Sequence, residues 1–250
     1  MEERRNAIVE LVNAEGSVTL ARLREAFPEV SDVTLRSDLA ALDGQGRLVR
    51  AYGGARSVGF AIGTDGPIGP RRALNVAAKR EIARKAAGLV RPSTTIFLDS
   101  GSTTTELAAA FPAVDALVFT TSLPCMTELA RHELPQVMGL GGRLNRTTMC
   151  LSGATTVAEL ERLTFDQVFL GASGYDSNTG FTCGSPDDAA IKRALVERAG
   201  QVVVLLDASK VGVRGTFSVC GLERVDVLVT DGKPSPELRK QCEAAGVELL

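Results

Sequence analysis

The chain has 250 residues, 44% hydrophobic and 23% charged, a balance that suits one large buried core or two smaller ones and excludes disorder as the default. No uncharged apolar run approaches the roughly 18 to 20 residues that span a bilayer, and the start MEERRNAIVELV is amphipathic, so a cytoplasmic protein with no membrane partner is expected. The net charge of -2 leaves any nucleic-acid footprint to be local, and five widely spaced cysteines, Cys125, Cys150, Cys183, Cys220 and Cys242, read as small core residues rather than a disulfide framework.

Ala7, Ile8, Leu11 and Val12 are spaced for one buried face of a first helix. Gly16-Ser17 breaks it, Val18–Phe27 reads as a second helix through Leu20, Leu23 and Phe27, and Pro28 closes that helix. Ser31 caps a third, SDVTLRSDLAALDGQG, in which Val33, Leu35, Leu39 and Leu42 face inward and Thr34, Arg36 and Ser37 outward. Gly44 and Gly46 end it, and LVRAYGGA follows as two short extended segments. Residues 1–56 therefore read as a winged helix-turn-helix with its third helix in the major groove of duplex DNA. A three-helix module that binds protein has the same apolar pattern. Acids and bases nearly cancel here, yet Arg36, Arg47, Arg50 and Arg56 cluster from the third helix to the end of the wing. These four, with Ser31, Thr34 and Ser37, are the candidate DNA contacts. A small domain of modest charge binds weakly alone, so a homo-oligomer on paired half-sites is expected.

The stretch SVGFAIGTDGPIGP from Ser57 to Pro70 has no period and reads as a linker, which sets 57–73 between the first domain and a second over 74–250. A helix over Ala77–Leu89 leads into apolar runs at Thr94–Leu98, Ala116–Thr121, Gln136–Leu140, Gln167–Gly171, Val202–Leu206 and Val225–Val229. Helical stretches at Thr104–Phe111, Leu123–Arg131, Thr155–Arg162, Asp187–Ala199 and Pro236–Ala245 alternate with them. The pattern predicts an α/β domain, a mostly parallel Rossmann-like sheet covered on both faces.

In such a sheet the residues after each strand matter most. The first run ends in Asp99-Ser100-Gly101-Ser102-Thr103-Thr104, a small-residue loop before a helix that can aim N–H groups and hydroxyls at an anion. An ordinary capped strand-to-helix turn fits the same residues. Thr121, Gly142, Arg143, Ser173, Asp176, Asp207 and Lys210 follow later strands, and together this rim suits a phosphorylated, polyhydroxylated ligand. The single histidine, His132, follows Arg131 at a helix end, and neither a metal-ligand cluster nor a nucleophile elbow nor a GxGxxG turn is present. No cofactor and no metal are expected.

Ser31-Asp32-Val33-Thr34-Leu35-Arg36-Ser37-Asp38-Leu39, with Leu42, Gly46, Leu48, Arg50 and Gly53-Gly54-Ala55, resemble the DNA-binding signature of the DeoR family of bacterial transcriptional regulators. Ser37 stands where that pattern usually has a second arginine, and Tyr52 where it commonly has histidine. The resemblance continues through Lys79-Arg80-Glu81-Ile82-Ala83, Phe97–Thr104, Leu140-Gly141-Gly142, Phe165-Asp166, Gly171–Gly174, Ala190-Ile191-Lys192-Arg193 and Asp207–Lys210. It implies a sensor of phosphorylated sugars with a fold similar to ribose-5-phosphate isomerase, and it adds Lys192 to the candidate effector residues. Thr120-Thr121 replaces a usual Thr-Asn pair, and Asp188 a usual glutamate. A repressor is the leading expectation, and a sugar-phosphate isomerase with an accessory N-terminal domain is the rival. In the related isomerases the fourth of these strands is followed by Ala-Asp-Glu and a further aspartate, whereas this chain has Ala172-Ser173-Gly174-Tyr175-Asp176.

Overall fold

Gly16, at φ 76°, turns the chain at the end of the first helix, α1 (Glu2–Glu15), and so decides the start of the fold in the computed structural model, which describes residues 2–58, 67–232 and 234–250. Beyond this turn Ser17–Thr19 forms strand β1, and the second helix, α2, runs only over Leu20–Ala26 with Thr19 as its cap. The expectation of a helix from Val18 is corrected here. The reason is tertiary: Val18 pairs with Ala55 of the wing, whose strands are β2 (Val49–Ala51) and β3 (Gly54–Arg56), in a sheet ordered β1-β3-β2.

The third helix, α3 (Asp32–Gly44), is capped by Ser31, whose hydroxyl accepts from the Thr34 N–H at 3.2 Å. It buries Leu35, Leu39 and Leu42 against Ile8, Val12 and Leu23. Val33 does not join them and is 78% exposed. Two residues before Leu35 is about 200° around a helix, so Val33 and Leu35 cannot share a face. The inward position is taken instead by Asp38, whose carboxylate accepts from Arg4 at 2.7 Å and Arg5 at 2.8 Å.

The reading of 57–73 as linker falls partly on 59–66, which lie outside the described residues. Ile68–Ala73, however, is a helix, α4, packed against α1, and it is followed by α5 (Val76–Ala87).

All six strands expected from the apolar runs are present and parallel, as β4 (Thr95–Leu98), β5 (Leu117–Thr120), β6 (Gln136–Gly139), β9 (Gln167–Gly171), β12 (Val202–Leu205) and β14 (Val227–Val229). A two-residue strand, β15 (Glu248–Leu249), completes the order β15-β14-β12-β9-β4-β5-β6. Alternate side chains serve opposite layers, as a sheet buried on both faces requires. Phe97, Val168, Leu170 and Val204 pack with α9 (Pro186–Arg198) and α10 (Pro236–Ala245). Ile96, Leu98, Phe169, Val203 and Leu205 pack with α5, α6 (Ser102–Ala109) and α7 (Leu123–Leu129). The remaining pieces are a hairpin of β7 (Arg143–Asn145) and β8 (Cys150–Ser152), helix α8 (Ala154–Leu160), and a small antiparallel sheet of β10 (Gly174–Asp176), β11 (Gly180–Cys183) and β13 (Phe217–Cys220).

The strand order reverses at β4. From there the chain goes to β5 and β6 on one side and returns to β9 on the other. A crevice opens at the carboxyl ends of β4 and β9, where ligands bind in sheets of this kind.

Candidate functional site

The crevice holds a cleft lined by Ser100, Gly101, Ser102 and Thr103 from the first loop and Ser173, Lys192, Asp207 and Lys210 from later ones. Gly101, at φ 152°, precedes α6, and no side chain caps that helix. The first-turn N–H groups and the positive end of the helix are thus available at the cleft. A Cβ on Gly101 would lie 3.3 Å from Thr104 Oγ1 and would force a side chain into a backbone region that favours glycine.

Asp99 and Lys192 stand beneath this loop and have a structural task. Asp99 is fully buried, its Oδ2 accepts from the Gly171 N–H at 2.9 Å, and it pairs with Lys192, whose ammonium also lies 3.3 Å from Asp188. Burial would depress the Lys192 pKa, but Asp188 and Asp99 outweigh it and hold the ammonium charged well above its ordinary range. The pair ties the switch point of the sheet to α9. Asp99 Oδ1 is buried without a hydrogen-bond partner.

Other candidates fall outside the cleft lining. Thr104 is buried and donates to the Gly101 carbonyl at 3.0 Å, so its hydroxyl serves the helix start. Thr121 is buried too. Gly142 lets the chain pass close to α8, where a Cβ would meet Thr156 Oγ1 at 2.2 Å. Arg143 is exposed and held at 2.8 Å by Asp187, itself a cleft residue. Asp176 accepts from the Asn178 N–H at 3.0 Å and closes the turn between β10 and β11. Asp207 keeps its place in the cleft and caps the turn that presents Lys210, accepting from the Ser209 N–H at 3.1 Å.

Sequence reasoning missed a second group of cleft residues. Arg71, Asn75 and Lys79 come from α4 and the start of α5. Lys79 is buried, donates to the carbonyls of Arg71 and Leu74, and is depressed to about 8 by burial, which outweighs the attraction of Asp207. A buried amine beside two further cations favours an anionic ligand. The one available signal was the Lys79-Arg80-Glu81-Ile82-Ala83 match. Ala14 and Glu15 of the first domain also line the cleft. Lys210 donates to the Glu15 carbonyl at 2.7 Å, and Asn75, in a left-handed conformation at φ 49°, joins Arg22 at 3.1 Å to Ser209 at 3.3 Å. Both domains thus meet at the site.

On the first domain, Arg36 and Arg50 line a groove between α3 and the wing, floored by Leu20 and Leu39, with Tyr52 fully exposed at the wing tip. Thr34 and Ser37 stand on the same helix, Ser37 exposed. Arg47 is tied to Asn6 at 2.8 Å and Glu2 at 3.3 Å. Arg56 departs from this set. It is half-buried next to the second domain, where burial and then the charge of Arg214 lower its pKa, and its Nε is buried without a partner.

Residues 4–59 match the model of the DeoR-like helix-turn-helix domain, and residues 74–232 that of the DeoR C terminal sensor domain. The chain is similar to the HTH-type transcriptional regulator GlpR of Haloferax volcanii, 33% identical over 99% of this chain and 96% of that protein. It is also similar to the putative aga operon transcriptional repressor of Escherichia coli O157:H7, 33% identical over 99% of this chain and 93% of the relative. Among solved structures, ribose 5-phosphate isomerase A of Methanocaldococcus jannaschii aligns with 55% of each chain at a TM-score of 0.41 and 20% identity. Among the described residues no group of side chains is arranged to hold a metal ion, and no helix is long and apolar enough to cross a membrane.

Proposed function

This chain belongs to the DeoR family of DNA-binding transcriptional regulators, and from that premise we propose that it is a repressor whose grip on its operator is set by a phosphorylated sugar or related metabolite bound in the cleft. The observation that carries this reading is the composition of the cleft. An uncapped helix start and the cations Arg71, Lys79 and Lys210 line it together with the carboxylates Asp187, Asp188 and Asp207. A phosphate suits the helix start, and hydroxyls suit the carboxylates. Because Glu15 and Lys210 join the domains at this place, a ligand that binds two domain arrangements unequally shifts operator affinity.

The groove between α3 and the wing supports docking of α3 in the major groove, with Arg36 at base edges and Arg50 and Tyr52 on the flanking backbone or minor groove. The protein acts in the cytoplasm as a homo-oligomer on paired half-sites, since one small domain with two free-reaching arginines holds DNA weakly.

Isomerisation is disfavoured by the chemistry. It needs a carboxylate base at the reacting carbon. Ser173 lines the cleft where the resemblance to the isomerases would place a carboxylate, Asp176 is occupied in its turn, and the cleft carboxylates Asp187, Asp188 and Asp207 are engaged by Arg143, Lys192 and the Ser209 N–H. The test is anisotropy of labelled DNA from beside the protein's own gene, at stated salt, titrated with protein and then with pentose and hexose phosphates while NMR follows turnover. Ligand-dependent release without turnover is expected. Turnover with no effect on DNA binding would overturn the reading.

A further inference from the structure

One wall of this cleft belongs to the DNA-binding domain. Glu15, the last residue of α1, lines the cleft and is 6% exposed. Its Oε1 accepts from Arg22 Nε at 3.0 Å, and its Oε2 is buried with no hydrogen-bond partner among the described residues. A buried carboxylate oxygen without a donor is unusual, because such an acceptor loses its water without replacement. The surroundings hold it in place. Arg22 fixes the carboxylate from one side, Asn75 fixes Arg22, and Lys210 fixes the Glu15 backbone through its carbonyl.

Building on the sugar-phosphate reading above, we propose that Glu15 is an effector-binding residue: its Oε2 accepts a hydrogen bond from a hydroxyl of the bound ligand, so that the ligand is held by both domains at once. A carboxylate suits a hydroxyl and repels a phosphate, so this end of the cleft takes the sugar and the Ser100–Thr103 loop takes the phosphate. Glu15 is the end of the helix whose Arg4 and Arg5 hold Asp38 of α3. A ligand hydroxyl on Glu15 therefore acts on the element that supports the DNA-reading helix, with Arg4, Arg5 and Asp38 as the connecting contacts. The coupling is reciprocal: operator binding that shifts α1 changes affinity for the sugar by the same factor.

Calorimetric titration of the full-length protein with ribose 5-phosphate, fructose 6-phosphate, glucose 6-phosphate and inorganic phosphate tests this. For a sugar phosphate that binds the wild type, Glu15→Leu is expected to weaken binding by roughly tenfold or more, as loss of a hydrogen bond to a charged group does. Inorganic phosphate should bind within about twofold of wild type, since a lone phosphate does not reach this acceptor. Glu15→Gln, which keeps an acceptor oxygen, should recover part of the sugar affinity. Arg22→Lys, which keeps a cation on the carboxylate, should retain sugar binding. Unchanged sugar-phosphate affinity in Glu15→Leu would overturn the proposal. So would an equal loss for inorganic phosphate, or an equal loss in Arg22→Lys, either of which reports a structural role. If the wild type binds inorganic phosphate but none of the sugar phosphates, the function proposed above fails, and this inference with it.

Discussion

Lys210, at the end of β12's following turn, donates to the carbonyl of Glu15, which ends the first helix of the other domain, at 2.7 Å. A cation in a ligand cleft is thereby bonded to the DNA-binding domain, and an anion arriving in that cleft competes for it. Lys210→Met should bind operator DNA but lose most of the effector response, the ratio of operator affinities with and without ligand falling towards one. Anisotropy titrations measure this, and an undiminished response in the variant would separate the contact from regulation.

Lys79 makes ligand binding depend on pH. Its pKa is depressed from 10.5 to about 8, chiefly by burial. It is therefore charged below pH 8 and neutral above, and an anion beside it draws the pKa back up. Anion affinity is expected to be highest below pH 8, to fall as pH rises from 8 to 10, and to be accompanied by proton uptake near pH 8 to 9. The sign for folding is opposite to that of a salt-bridged lysine. The buried charge is unfavourable, so this residue's contribution to stability improves as pH rises from about 8 to 10.5. Calorimetry in buffers of different ionisation enthalpy reads the proton uptake, and Lys79→Met should abolish it.

Asp38 should govern acid stability of the first domain. Burial alone would raise its pKa, but the hydrogen bonds and charges of Arg4 and Arg5 bring it below the ordinary 3.8. A lowered carboxylate stabilises above its unfolded pKa and ceases to as pH falls through the folded value, here below 3.8. Asp38→Asn should destabilise the domain by roughly 2 to 3 kcal/mol at neutral pH, since it leaves two arginines without their counter-charge. Urea titration followed by circular dichroism at pH 7 and at pH 3 should show the difference between wild type and variant shrinking in acid.

Gly101→Val should abolish effector binding and leave operator binding intact. The substitution sets a branched side chain at φ 152°, with its Cβ 3.3 Å from Thr104 Oγ1, where the chain enters α6. Equal ligand affinity in wild type and variant would exclude the loop as the phosphate site.

Arg36→Ala should cost about 1 to 3 kcal/mol of operator affinity if the side chain reads a base, with relaxed preference at one position. A phosphate contact would instead flatten the salt dependence while sparing sequence preference. Val33, exposed two residues before Leu35, offers an apolar side chain on the same helix, so Val33→Ala should alter preference without unfolding the domain.

The sequence by itself determined the modules and their elements, because helical and strand periodicity are local. The spacing of Leu35, Leu39 and Leu42 carries α3, and the apolar runs carry six of the seven parallel strands of the large sheet. The loop after β4 was legible because a strand, small residues and a helix start are consecutive in the chain. Tertiary structure decided what each of those residues does. Whether Thr104 faces a ligand or the Gly101 carbonyl depends on how α6 begins, and Val33 is outside because packing against Ile8 and Leu23 chooses one rotation of α3. The strands β7, β8, β10, β11 and β13 have no continuous apolar run and are fixed by their antiparallel partners. Most of all, Glu15 and Lys210 are 195 residues apart in the chain. No local pattern couples such a pair. The order of the sheet and the docking of α1 beside its carboxyl edge bring them together, and with them a cleft that both domains share.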